Sequence, residues 1–135
     1  FGLNNVSSMP VYLPGEMNLI VAENYARQNQ FTQSVNALND VRTKTTDAFG
    51  IGANQPSYSG LLTQADILND IYKQRRIELF LSGMELEDSR RFGRKPTTTE
   101  TGPINADAER NKTFYPYPLQ ERTNNTNTPL DPPVL

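Results

Sequence analysis

Residues 71–93 read IYKQRRIELFLSGMELEDSRRFG, and the placement of charge in this stretch decides the fold. Four Arg, three Glu and one Asp lie among apolar residues there. On a helix, at about 100° per residue, Ile67, Leu68, Ile71 and Tyr72 share one side, with Arg75 and Glu78 on or beside it. From Ile77 onward the apolar positions, Phe80, Leu81 and Met84, move to the opposite side. A helix whose apolar face changes sides has neighbours on both, so part of its charge is enclosed. Enclosed charge is tolerated only when paired. The available pairs are Arg75 with Glu78 at i, i+3, and Asp88 with Arg91 or Arg90. The stretch therefore reads as an ion-paired structural keystone rather than a catalytic site.

Immediately before it, Thr63 gives a helix start signal with an acid, Asp66, three residues on, and Leu62 with Ile67 placed as a hydrophobic staple. This third helix is expected to run to about Ser82 and stop at Gly83, a natural C-cap residue. Residues 84–92 then form a short fourth helix, ended by Gly93 and Pro96.

Further upstream, Pro14, Gly15 and Glu16 suit a helix start, with a proline and an acid in the first turn. Residues 17–28, MNLIVAENYARQ, read as a nearly all-round apolar and hence buried helix. Glu23 inside it needs a partner, with Arg27 or Arg42 as candidates. After a turn at Asn29 and Gln30, Thr32 is the expected N-cap of a second helix over residues 33–44, in which Val35, Leu38, Val41 and Arg42 recur at helical spacing. Ala22, Tyr25, Phe31, Ser34, Leu38 and Val41 follow a tetratricopeptide layout, with Ser34 in place of an alanine and no second copy at the repeat length of about 34 residues.

Residues 45–62 form a long loop rich in Gly, Asn, Ser and Gln. Loops beyond about 12–15 residues without structure of their own are usually functional or disordered. No Gly-Lys-Ser/Thr follows, so the loop is not a phosphate loop. Asn54, Gln55 and Tyr58 suit sugar hydroxyls and a sugar face, and are candidate ligand residues set against a plain connector. From Arg94 onward the composition shifts, with seven of the ten prolines. Within that tail residues 113–119, TFYPYPL, are too apolar for a free linker, and Tyr115 and Tyr117 join the ligand candidates.

Composition narrows the chemistry. The 135 residues carry a net charge of -2 and no His or Cys. This excludes thiolate chemistry, Ser-His and Cys-His nucleophile pairs, disulfides and the usual zinc sites. An acidic balance gives no electrostatic reason to expect nucleic acid. Glu85, Glu87 and Asp88 are formally a glycosidase set, but Arg90 and Arg91 beside them hold carboxylates ionised rather than ready for acid duty. Asp47, Asp66 and Asp70 lack any recognised calcium-loop spacing. No apolar run approaches the roughly 18 residues that span a membrane. The chain begins with Phe1, the expected mark of a mature or truncated product.

QRRIELFLSGMELEDSRRFG over residues 74–93 resembles the C-terminal pattern of the SusD/RagB family, ERR-x-EL-x-x-EG-x-R-x-x-D-x-x-R-aromatic-G. Arg75, Arg76, Glu78, Leu79, Gly83, Asp88, Arg91, Phe92 and Gly93 match. Gln74 and Ser82 stand where the family has Glu, and Glu85 where it has Arg. LIVAENYAR over residues 19–27 is similar to the family's LI-x-AEA-x-AR, and Tyr115, Pro116, Tyr117, Pro118 and Glu121 to its tail segment. The resemblance implies a mainly α fold: tetratricopeptide-like hairpins with long irregular loops and a Pro-rich, ordered but irregular C-terminal segment. The expected organisation is a single domain, the C-terminal part of a SusD-like protein. Its hairpin is residues 14–44, its keystone helices 63–93 and its tail 94–135. It further implies a non-catalytic nutrient-binding subunit without a cofactor, capturing oligosaccharide or peptide for a SusC-like TonB-dependent transporter. Such proteins sit on the outer face of the outer membrane of Bacteroidota, held by a lipidated N-terminal Cys that this sequence does not contain. The competing class is a tetratricopeptide-like protein-interaction scaffold. The structural ion-pair residues expected are Glu23, Arg42, Arg75, Glu78, Asp88 and Arg91; no ligand residue carries over from the family, and the ligand candidates rest on side-chain chemistry alone.

Overall fold

A computed structural model describes residues 12–47, 50–80, 82–96, 108–110 and 117–129. Among them the protein is mainly helical: α1 Pro14–Arg27, α2 Phe31–Arg42, α3 Gln64–Glu78, α4 Glu85–Arg91 and α5 Leu119–Asn124, with two short strands, β1 Lys95–Pro96 and β2 Ala108–Arg110. The backbone forms two compact units, residues 1–83 and 84–135.

In the first unit α1 packs on α2 and both pack on α3. Their apolar faces meet in a core of Leu19, Ala22, Ala26, Leu38, Val41, Ile67, Ile71 and Tyr72, all essentially without exposure. Ser34 occupies the position where an alanine is expected. It is fully buried, and its hydroxyl donates to Ala22 O at 2.7 Å, so a polar group is accommodated where the two helices cross. The turn between α1 and α2 is a Schellman motif. Asn29 takes φ 59°, its N–H bonds Ala26 O, and Gln30 N–H bonds Tyr25 O. This turn delivers the chain directly into α2. The helix therefore begins at Phe31 with Gln30 as its N-cap, and Thr32, expected in the capping role, lies inside it.

Other expectations are corrected. The apolar surround of α1 is not buried throughout: Gly15, Leu19, Ala22, Glu23 and Ala26 face inward, while Met17, Ile20 and Val21 stay 41%, 46% and 45% exposed. The single neighbouring layer on α1 covers one face only. The second helix stops at Arg42 rather than Lys44, with Thr43 Oγ1 donating back to Asn39 O. Thr63 caps α3 as expected, its Oγ1 accepting from Asp66 N at 3.2 Å. Ile67 is buried, whereas Leu62 remains largely exposed. Helix α3 ends at Glu78, not near Ser82, because the chain tightens into i→i+3 bonds, Phe80 N to Ile77 O and Ser82 N to Leu79 O. Gly83, with φ 83°, closes that turn rather than the helix.

In the second unit α4 ends in a Schellman motif of its own. Gly93 at φ 65° donates to Arg90 O, and Arg94 N donates to Ser89 O. A side chain at Gly93 would be strained in that left-handed conformation. Strands β1 and β2 pair in parallel, Lys95 opposite Ala108 and Pro96 opposite Arg110, with an irregularity between the two steps. The tail was expected to be irregular, yet residues 119–124 form the short helix α5, introduced by Pro118 at its N-cap.

Candidate functional site

Two features of the first unit carry its polar chemistry: a charged corner and the loop over residues 45–62. At the corner Lys44, just past the end of α2, reaches Glu78 Oε1 at 2.7 Å and Asp47 Oδ2 at 3.1 Å. The Glu78 side chain is fully enclosed and Lys44 is 18% exposed. Burial disfavours the ammonium, but its bonds to Glu78 and Asp47 more than offset this, and the Lys44 pKa is raised above its ordinary 10.5. Glu78 lies against the first turn of α1. A Cβ on Gly15 would fall 1.9 Å from Glu78 Oε1, so any larger residue would push this carboxylate aside. The positive end of the α1 dipole favours the same charge. Arg75, one turn back on α3, approaches Glu16 at 4.0 Å.

The loop is fastened along its length. Asn54 N donates to Lys44 O and Gln55 N to Arg42 O, extending the chain antiparallel to the end of α2. Arg42 Nη1 bonds Asp70 on α3 at 2.5 Å while its Nε donates to Pro56 O at 3.1 Å. Gln74 Nε2 donates to Gln55 Oε1 at 2.9 Å. Tyr58 N donates to Asn39 Oδ1 at 2.7 Å, and the Tyr58 hydroxyl donates to Leu61 O at 2.8 Å. Burial raises the pKa of that hydroxyl above 10.0, and the charges of Asp66 and Asp70 add to the effect.

The structure thus separates the candidate ligand residues. Asn54 is exposed, with φ 47°, whereas Gln55 and Tyr58 are partly buried and bonded within the unit. Tyr117 belongs to the second unit and is 40% exposed; Tyr115 lies outside the described residues.

The expected ion-pair residues all carry pairs: Glu23 and Asp88 take partners that spacing offered, whereas Arg42, Arg75 and Glu78 take partners that it did not. Glu23 takes Arg27 at 2.8 Å, and Arg42 takes Asp70. Glu78, expected opposite Arg75, holds Lys44. Asp88 pairs with Arg91 at 3.0 Å, and Arg91 also lies 4.5 Å from the centre of the Phe92 ring. Glu87 pairs with Arg90, which places two members of the formal glycosidase set in ion pairs. Asp47 and Asp70 hold cations, and the Asp66 carboxylate accepts from the hydroxyl of Thr63, the N-cap of α3. Among the described residues no cluster of three or more acids could hold a metal ion, and no helix is long and apolar enough to cross a membrane. Gly15, Glu16, Lys44 and Asp70 are the site residues that sequence reasoning missed. A basic residue just after a helix and an acid on the buried side of another were the available signals.

The chain matches the family model described as SusD family over residues 4–131. No curated protein and no solved structure matches it. The match takes in nearly the whole sequence, and the chain belongs to the SusD family. That family consists of nutrient-binding, generally non-catalytic cell-surface proteins.

Proposed function

We propose, from membership of the SusD family, that this chain is the C-terminal helical part of a cell-surface nutrient-binding subunit. It captures oligosaccharide, or peptide in the alternative, for import through a partner SusC-like TonB-dependent transporter. Its place is the extracellular face of the outer membrane, where members of the family are held as lipoproteins. The observation that carries this reading is the family match over residues 4–131. The loop supports it in a specific way. Arg42, Asn39 and Gln74 hold the segment around Gln55 and Tyr58 in one conformation, leaving Asn54 exposed at its edge. A surface fixed before ligand arrives avoids the ordering cost that weakens binding by a flexible loop. Amide and phenol side chains are the partners that sugar rims and faces require. The α1–α2 pair is read in the same proposal as a tetratricopeptide-like hairpin.

The test is affinity isolation of the full-length protein from detergent-solubilised outer membranes, followed by titration of the isolated protein with neutral oligosaccharides and with peptides. The expected result is recovery of a large TonB-dependent β-barrel in near-equal amount, and saturable binding of one ligand class. Recovery of soluble proteins alone would move the interaction-scaffold reading ahead.

A further inference from the structure

Gln74 and Glu78 stand four residues apart on the buried face of α3, each 2% exposed. At that spacing their Cβ atoms lie about 5–6 Å apart on one side of the helix. Each side chain uses one end within the protein: Gln74 Nε2 donates to Gln55, and Glu78 Oε1 accepts from Lys44. The opposite ends, Gln74 Oε1 and Glu78 Oε2, are buried oxygens that receive no hydrogen bond from a donor among the described residues. Both are acceptors, and buried acceptors without a donor are costly. Buried waters settle where several such groups converge.

We propose that one internal water molecule bridges these two oxygens, donating one proton to Gln74 Oε1 and the other to Glu78 Oε2. The chemistry selects water over a cation. The other oxygen of the same carboxylate already holds the Lys44 ammonium and Gln74 Oε1 is an uncharged amide oxygen, so a buried cation would give up its hydration for a share of one carboxylate. A neutral double donor meets both acceptors without that penalty. The bridge joins two separate arrangements into one chain of polar contacts: Gln55, Gln74, water, Glu78, Lys44 and Asp47 in order. Gln55 and Asp47 both belong to the segment after α2, so the water fastens the middle of the loop to its beginning through the interior of α3.

High-resolution crystallography of the whole chain and oxygen-17 relaxation dispersion, which detects long-lived internal water, test this together. The expected result is ordered water density within hydrogen-bond reach of both oxygens. In solution, Gln74→Leu loses one long-lived water. Gln55→Leu loses none, because it removes the amide bond and leaves both acceptors in place. The proposal is overturned if no water lies between the two oxygens. One such arrangement has the Gln74 amide turned so that its Nε2 donates directly to Glu78, with Gln55 Nε2 donating to Gln74 Oε1. Equal long-lived water in the parent and Gln74→Leu overturns it as well. Should Gln74→Leu fail to fold, the density in the parent decides alone.

Discussion

In residues 1–83, Lys44 pairs with Glu78, Arg42 with Asp70 and Arg75 with Glu16, partners that lie far apart in the chain. In residues 84–135, the α4 pairs Arg90 with Glu87 and Arg91 with Asp88 each join residues three positions apart. The sequence of residues 71–93 gives no hint of that change, since charge is no sparser after Gly83 than before it. The difference lies in what each pair constrains. A remote pair fixes how helices meet and encloses charge that must then stay paired. A pair three residues apart forms with the helix, and where both ends reach solvent, as in Arg90 with Glu87, it adds a few tenths of a kcal/mol. Resemblance in sequence density therefore does not mean equal energetic weight.

The sharpest way to break this contrast is to remove the remote cation. Lys44→Met leaves the enclosed Glu78 carboxylate without its counter-charge, and the expected loss is about 3–5 kcal/mol of unfolding free energy in urea titration. A loss below about 1 kcal/mol, the range of surface pairs, would erase the distinction between the two regions. Gly15→Ala tests the same corner from the α1 side. Its Cβ would meet Glu78 Oε1 at 1.9 Å, so the carboxylate must move, and about 1–3 kcal/mol should be lost on the same measurement.

Alkaline pH gives a graded version. The folded pKa values of Lys44 and Tyr58 are raised above 10.5 and 10.0 respectively. A raised folded value means the unfolded chain releases its proton first, so the stability from these groups is intact below pH 10.0 and is lost as pH rises through the folded values. Melting temperature should fall above that point, and the fall should be shallower in Tyr58→Phe and in Lys44→Met; unchanged slopes in both would assign the effect elsewhere. The smallest change belongs to α4. Arg90 and Glu87 are 34% and 54% exposed, and Arg90→Ala should alter stability by no more than about 0.5 kcal/mol.

Much of the fold was legible because helical periodicity and capping are local. Thr63 and Asp66 mark the start of α3, Gly93 marks the end of α4, and the enclosed charge of Arg75, Glu78 and Asp88 is evident from the apolar residues around it. The partners were not legible. Lys44 stands in a polar run after α2 and looks like a solvated cation; its role appears only once α3 brings Glu78 alongside. Gly15 looks like an ordinary first-turn residue until the carboxylate is set against it. Helix crossing determines both, and periodicity says which face is buried without saying what lies opposite. The bonding of the loop was illegible for a related reason. Gln55 and Tyr58 have the side chains a sugar site needs, and the same hydrogen-bonding capacity lets α2 and α3 engage them first.

Amine-reactive reagents attack a neutral lysine that solvent can reach, and the corner denies both conditions at Lys44. Its ammonium is held between two carboxylates, mostly out of water, while Lys73 on α3 lies exposed. An acylating reagent should therefore modify Lys73 and pass over Lys44. Because the hold on Lys44 also anchors the start of the loop, its labelling becomes a chemical gauge of whether that loop is seated. Any contact that pries the loop loose will be recorded as a covalent mark on one lysine.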